Sequence, residues 1–258
     1  MRIFAISDVH VDFPVNAKWI DDLSRHDFQE DMLILAGDVS DDLRLVHQCL
    51  SSLSKRFRKV FFVPGNHDLW VARFDSALTS LDKFEHVLRV ADESGVSTRR
   101  HDEPGFSIVP LLSWYDYSFG EPSDALRAAW MDFVACRWPD GMDVREVTTH
   151  FLARNSGCVS RGQQRGMVIT FSHFLPRGDL LPARMLPNGI DLHPVLGTDR
   201  LDAQVRALEA SIHVYGHSHV NRDLSIDGVT YINNALGYPR ETGFTSKMLR
   251  CVYEETGR

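Results

Sequence analysis

The sequence predicts an α/β protein built from two mixed sheets packed face to face, with helices on their outer faces. Three observations predict it. Short apolar runs recur along the chain, amphipathic stretches of helical length separate them, and most runs stop at a polar cluster holding glycine, aspartate or histidine. A strand covered on both faces reads as an unbroken apolar run, whereas a half-wet strand alternates.

The elements follow in order. Residues 3–7 form the first strand, and an amphipathic pattern over 16–25 forms the first helix. A second strand at 32–36 leads to a helix over 41–57, and a third at 60–63 leads to a helix over 73–90. The run 106–112 is the fourth strand. Residues 113–166 then break the pattern: they are rich in aromatics, carry a helical pattern over 123–136 and show no strong strand. This stretch reads as a mainly helical insertion lying over the sheet. Strands at 168–171 and 212–215 flank a helix over 201–210. The turn Ile226-Asp227-Gly228 introduces strands at 229–232 and 248–253, with an antiparallel tendency. No internal repeat divides the 258 residues, which are read as one domain carrying the 113–166 insertion.

Composition narrows the class of function. Hydrophobic residues at 43% and charged residues at 24% suffice for a packed core without disulfides. A formal charge of −7 does not advertise the basic face on which nucleic-acid binding depends. Cys49, Cys136, Cys158 and Cys251 stand singly, so no Cys-x-x-Cys metal or redox site is written, and free thiols are expected. The N-terminus turns acidic at Asp8 before a signal segment could be completed, and no apolar run is long enough to span a bilayer. A cytoplasmic protein with no membrane partner is the expectation.

Five polar clusters carry the chemistry, and each follows a strand. Asp8-Val9-His10 follows the first, Gly37-Asp38 the second and Gly65-Asn66-His67-Asp68 the third. Ser172-His173 and Gly216-His217-Ser218-His219 follow two later ones. Ligand sites of α/β sheets gather beyond the carboxyl ends of strands, so all five clusters can converge on one edge. Asp8 and His10, two residues apart, point the same way if the backbone is extended, and His217 and His219 repeat the arrangement. Gly37, Gly65 and Gly216 let the backbone turn where the side chains must face inward.

Asp8 and Asp38 offer carboxylates, His10, His173, His217 and His219 offer imidazoles, and Asn66 offers a neutral amide oxygen. This donor set suits two divalent ions. Two such ions less two carboxylates leave a surplus of about two positive charges, which attracts phosphate although the chain is acidic. A hydroxide bridging the pair is the expected nucleophile for in-line hydrolysis of a phosphate ester. Mixed imidazole and carboxylate ligation suits manganese, iron or zinc better than magnesium or calcium, and manganese is favoured. The other histidines lack such a context and read as structural.

In this order the clusters Asp-x-His, Gly-Asp, Gly-Asn-His-Asp, a later His and Gly-His-x-His resemble the calcineurin-like metallophosphoesterase superfamily. The resemblance implies a four-layer α/β/β/α sandwich. It implies that Asp8, His10, Asp38 and His219 hold one metal and that Asp38, Asn66, His173 and His217 hold the other. It further implies that His67 works on the substrate beside the metals and that Asp68 orients it. The arginines of the phosphoprotein phosphatase branch are missing, since Asp42 and Pro64 stand at the corresponding positions. The pattern sits closer to small bacterial phosphoesterases, which include mono- and diesterases. A phosphate ester of a small organic molecule is the expected substrate. A non-catalytic protein-binding scaffold of the same fold and a nuclease of the same superfamily are the alternatives.

Two further features are candidates for substrate contact. Arg177 follows His173 closely, on a loop that Pro176 stiffens, and a guanidinium grips phosphate with two donors. Trp114 and Tyr115 follow a strand end, and polar Ser113, Asp116 and Ser118 interrupt the aromatic run. They are expected to wall a pocket above the metals.

Overall fold

A computed structural model describes residues 1–73, 77–159, 166–181 and 189–255. The first sheet has four strands in the order β10-β1-β2-β3, formed by β1 (Arg2–Ile6), β2 (Met32–Leu35), β3 (Lys59–Phe62) and β10 (Arg250–Glu254). The second has six in the order β4-β5-β6-β7-β9-β8. Its strands are β4 (His101–Glu103), β5 (Gly105–Pro110), β6 (Gly166–Phe171), β7 (Ile212–Tyr215), β8 (Arg222–Ile226) and β9 (Val229–Asn233). Both sheets are mixed: their inner strands run parallel, while β10, β4 and β8 pair antiparallel at the edges.

Alternation along each strand explains why the apolar runs are unbroken. Ile3 and Ala5 of β1, with Met32 and Ile34 of β2, face the second sheet and meet Phe106, Ile108, Ile169 and Phe171 there. Phe4, Ile6, Leu33 and Leu35 face the other way. They are covered by α1 (Pro14–Asp22), α2 (Leu43–Ser54) and α3 (Ser80–Glu93), which contribute Ile20, Leu50, Leu53 and Val87. Side chains of a strand alternate between faces, so a strand between two apolar layers needs apolar residues at every position. The outer face of the second sheet packs Val109, Val168 and Tyr231 against Leu201 and Val205 of α8 (Asp199–Ala207). The result is the four-layer α/β/β/α sandwich.

Of the 113–166 stretch, 113–159 are described and lie between β5 and its parallel neighbour β6, which begins at Gly166, while 160–165 lie outside the described residues. The stretch holds α4 (Asp124–Ala129), α5 (Asp132–Ala135), α6 (Val144–Arg154) and α7 (Ser156–Val159). The helix expected over 123–136 is broken at Trp130, whose backbone is extended. The helix expected over 73–90 begins only at Ser80, where Thr79 and Asp82 form a reciprocal capping box. Within its expected start, 74–76 lie outside the described residues. No helix of the described residues is long and apolar enough to cross a membrane.

Candidate metal centre and active-site cleft

Every cluster lies just past a strand end, and the backbone there is unusual. Asp8, His10, Asp38, His217 and His219 have φ of +51°, +39°, +57°, +67° and +52°. Extended backbone was expected to aim Asp8 and His10 together, and His217 and His219 likewise. Instead β1 stops at Ile6 and all four residues sit in the left-handed region, so turns converge them and the pleat does not. Each such residue costs about 1–2 kcal/mol without a glycine. Gly65 answers a different need, since a Cβ there would lie 2.2 Å from Asp38 Oδ1 and 2.7 Å from His173 Cε1. Gly37, at φ +85°, lies equally close beneath the His173 ring.

Two groups of side chains result, each with ligating atoms within 4.8 Å of one another: Asp8, His10, Asp38 and His219, and Asp38, His173 and His217. Asn66 joins the second through Oδ1, 3.0 Å from His173 Nε2. Asp38 belongs to both. Its Oδ2 lies 3.8 Å from His10 Nε2, and its Oδ1 lies 3.5 Å from His173 Nε2. Asp8 Oδ1 lies 3.2 Å from His219 Nε2, which in turn lies 3.2 Å from His10 Nε2. His173 Nε2 lies 3.1 Å from His217 Nδ1.

The outward nitrogens are engaged elsewhere. His173 Nδ1 meets the Ala36 carbonyl at 2.9 Å, His217 Nε2 the Val195 carbonyl at 3.0 Å, and His219 Nδ1 the Glu241 carboxylate at 2.6 Å. A carbonyl or carboxylate only accepts, so each outward nitrogen carries a proton; the inward nitrogens of His173 and His217 present lone pairs, and that of His219 would do so with a cation in place of its proton. The backbone N–H of His217 donates to Asp8 Oδ1 at 3.0 Å, and the Ser7 hydroxyl donates to Asp8 Oδ2.

Protein groups alone cannot all keep ordinary charge states here. Burial, with Asp8 and Asp68 nearby, pushes the Asp38 carboxyl up. Burial pushes Asp8 up as well, but His219 outweighs it and holds that carboxyl low. Burial and neighbouring imidazoles push His10 and His217 down. Burial opposes charge on His219 too, yet Asp8 and Glu241 raise it to about 10. Two divalent cations among these donors remove the conflict by compensating both carboxylates and using the neutral imidazoles. The donors therefore fit a metal pair.

A cleft of about 570 Å³ opens beside the first group, lined by His10, Phe13, His67, Trp70, Arg73, Tyr238 and Arg240 among others. A model of the calcineurin-like phosphoesterase family matches residues 1–221. The chain belongs to that family. It is a metal-dependent phosphoesterase. It is 28% identical over 264 aligned positions to the acyl-carrier-protein phosphodiesterase PptH of Mycobacterium tuberculosis, covering 93% of this chain and 78% of that one. The crystal structure of phosphopantetheinyl hydrolase (PptH) from that organism matches with a TM-score of 0.79 at 28% identity, covering 98% of this chain and 96% of the other.

In this phosphoesterase His67 faces the cleft. Its ring stacks on Trp70 with centroids 3.7 Å apart, and its Nε2 lies 3.3 Å from the Tyr238 hydroxyl and 3.9 Å from Asp38 Oδ2. Burial, with His219 and His173 nearby, lowers its pKa to about 3, so the imidazole is neutral at neutral pH.

Three expectations require correction. Asp68 does not orient His67. Its oxygens accept from the backbone N–H groups of Gly65, Asp38, Val39 and Ser40 at 2.8–3.1 Å, which pins the two ligand loops together. Trp114 and Tyr115 do not wall the cleft. At 0% and 2% exposure they form an aromatic core with Trp138, Phe151 and Phe174. Of the polar interruptions that suggested a pocket, Asp116 and Ser118 make turn and capping contacts, Asp116 accepting from Thr198 at 2.8 Å, while the Ser113 hydroxyl is buried without a hydrogen-bond partner among the described residues. Trp114→Ala is accordingly expected to cost about 3–5 kcal/mol of stability, read by urea unfolding, with equal relative losses on any ester. Arg177 is not a phosphate clamp either. Its guanidinium is held by Asp179 at 2.7 and 2.9 Å and by Asp202 at 3.4 Å, so its donors are engaged by carboxylates. Arg177→Ala should leave KM unchanged in steady-state assays; a raised KM would restore the clamp.

Several site residues went unread: Trp70, Asp132, Tyr238, Arg240 and Glu241. Tyr238, Arg240 and Glu241 follow β9, so the strand-end rule that found the histidines points to them too.

Proposed function

We propose that this phosphoesterase is a phosphodiesterase that releases a phosphopantetheinyl group from an acyl carrier protein, and that manganese is the favoured metal. The observation that carries the reading is the extent of the likeness. Coverage of 98% of this chain extends well beyond the metal motifs, and Asp132, between β5 and β6, hydrogen-bonds the candidate ligand Asn66 at 2.8 Å. The expected small-molecule ester gives way to a small group borne on a protein. A cytoplasmic location belongs to the same reading, in keeping with four unpaired cysteines.

The cleft suits such a substrate. Phe13, Trp70 and Tyr238 give it apolar walls, and Arg73 and Arg240 supply positive charge at its lining. Arg73 is already partnered by Asp41 at 3.2 Å, so among the described lining residues exposed Arg240 is the cation we assign to the substrate phosphate or an acidic carrier surface. Two divalent ions held by Asp8, His10, Asp38, Asn66, His173, His217 and His219 would polarise the phosphate oxygens and lower the pKa of water at the site. His67, held neutral on its Trp70 shelf, directs an N–H toward the oxygen that leaves. The oxygen of water bonds to phosphorus, the bond from phosphorus to the carrier's side-chain oxygen breaks, and one of the water's protons goes to that oxygen, which departs as an alcohol. The phosphate stays on the pantetheine arm.

Incubating the protein and Mn²⁺ with a phosphopantetheinylated carrier should shift the carrier's intact mass down by one phosphopantetheinyl group. An unchanged carrier under conditions that hydrolyse bis-p-nitrophenyl phosphate would reject the carrier substrate while leaving the phosphoesterase intact.

A further inference from the structure

We propose that Asp132, a buried carboxylate of the insertion, is a positioning residue that aims Asn66 at the metal centre. The inference rests on Asn66 being a donor to the second metal.

Asp132 opens α5 and is 3% exposed. Its Oδ1 accepts from Asn66 Nδ2 at 2.8 Å and from Trp70 Nε1 at 2.7 Å, and its Oδ2 accepts from Trp130 Nε1 at 2.8 Å. An amide can turn either end toward a neighbour, and an ionised carboxylate only accepts. Asp132 therefore draws the NH₂ of Asn66 to itself and leaves Oδ1 facing inward, 3.0 Å from His173 Nε2. The opposite orientation would set oxygen against carboxylate and present N–H donors where a cation belongs. Both contacts would be repulsive.

The same oxygen holds Trp70, the shelf on which His67 stacks. One carboxylate thus steadies a metal donor and the floor of the cleft. Burying a carboxylate is costly, and an apolar side chain of similar volume usually stabilises a fold as well or better. A merely structural position would not call for an acid. Among the described residues, the hydrogen bonds of Asp132 run to Asn66, Trp70 and Trp130 and not to Asp8, His10, Asp38 or His219, so its influence falls on one group alone.

The test is equilibrium titration of the metal-depleted full chain with Mn²⁺, alongside thermal melting. In Asp132→Ala the first equivalent should bind as in the wild type and the second about 10–100-fold more weakly, the usual effect of losing an outer partner of a ligand. Asp132→Leu fills the volume without an acceptor and should behave the same, carrying the test if alanine impairs folding. Asp132→Asn keeps one oxygen for Asn66 and should retain second-site affinity. Trp130→Phe removes a donor from the far oxygen and should lower only the melting temperature. Second-site affinity unchanged in Ala and Leu, lost equally for both equivalents, or lost as fully in Asn or in Trp130→Phe, would overturn the inference. Asn66→Ala separates the two claims: if it binds both equivalents normally, the donor role of Asn66 falls and the inference falls with it.

Discussion

Asp38→Asn should leave the protein folded but short of metal and nearly inactive. Each Asp38 oxygen faces a different group of donors, one toward His10 and one toward His173. An amide has a single oxygen, so its NH₂ would face one of the two cation positions. Losing an outer partner of a ligand costs about 10–100-fold in metal affinity or activity, and a carboxylate shared by both ions must cost at least the upper end of that range. Folding should survive, because asparagine tolerates φ of +57° better than most residues. Elemental analysis after gel filtration should find fewer than two equivalents per chain, with circular dichroism unchanged. Two full equivalents at wild-type rates would show that Asp38 does not join the groups.

The second large effect is expected at His67, and its signature is the reverse. His67 belongs to neither ligating group, and its Nε2 approaches Asp38 Oδ2 only to 3.9 Å. His67→Ala should therefore keep its metals and lose kcat by about 10²–10³-fold, the range for removing a preorganised N–H donor from charge developing on the leaving oxygen. Esters with poor leaving groups should suffer most, because they depend most on help to the departing oxygen. A flat dependence on leaving group would mean that His67 binds substrate without assisting the break. Lost metal at normal kcat would mean it is a ligand.

Legibility in the sequence followed burial and chain order. The eight apolar strands could be read because layers cover both faces of most of them. β4 (His-Asp-Glu) and β8 (Arg-Asp-Leu-Ser-Ile) could not, because each is a sheet edge whose side chains are half-buried or exposed. The seven ligand candidates were legible because each follows a strand within one or two turns of chain. Their aim was misattributed, since left-handed φ cannot be seen in residues that are not glycine. Trp114 and Arg177 were misjudged for a shared reason. Both follow strand ends, but the partners of Trp114 (Phe151 and Trp138) lie far along the chain, where no local pattern reports them, and Arg177 meets both nearby Asp179 and distant Asp202. Asp132 was hidden by the same distance, since its contact with Asn66 spans 66 positions.

The pairing of β1 with β10 has a consequence for biosynthesis. β1 lies inside its sheet, and one of its two neighbours, β10, is translated more than 240 residues after it. Throughout elongation one side of β1 must wait with its backbone donors and acceptors unpaired, a standing invitation to foreign strands. Nascent chains stalled before residue 250 should thus be sticky, and should recruit chaperones that full-length chains escape.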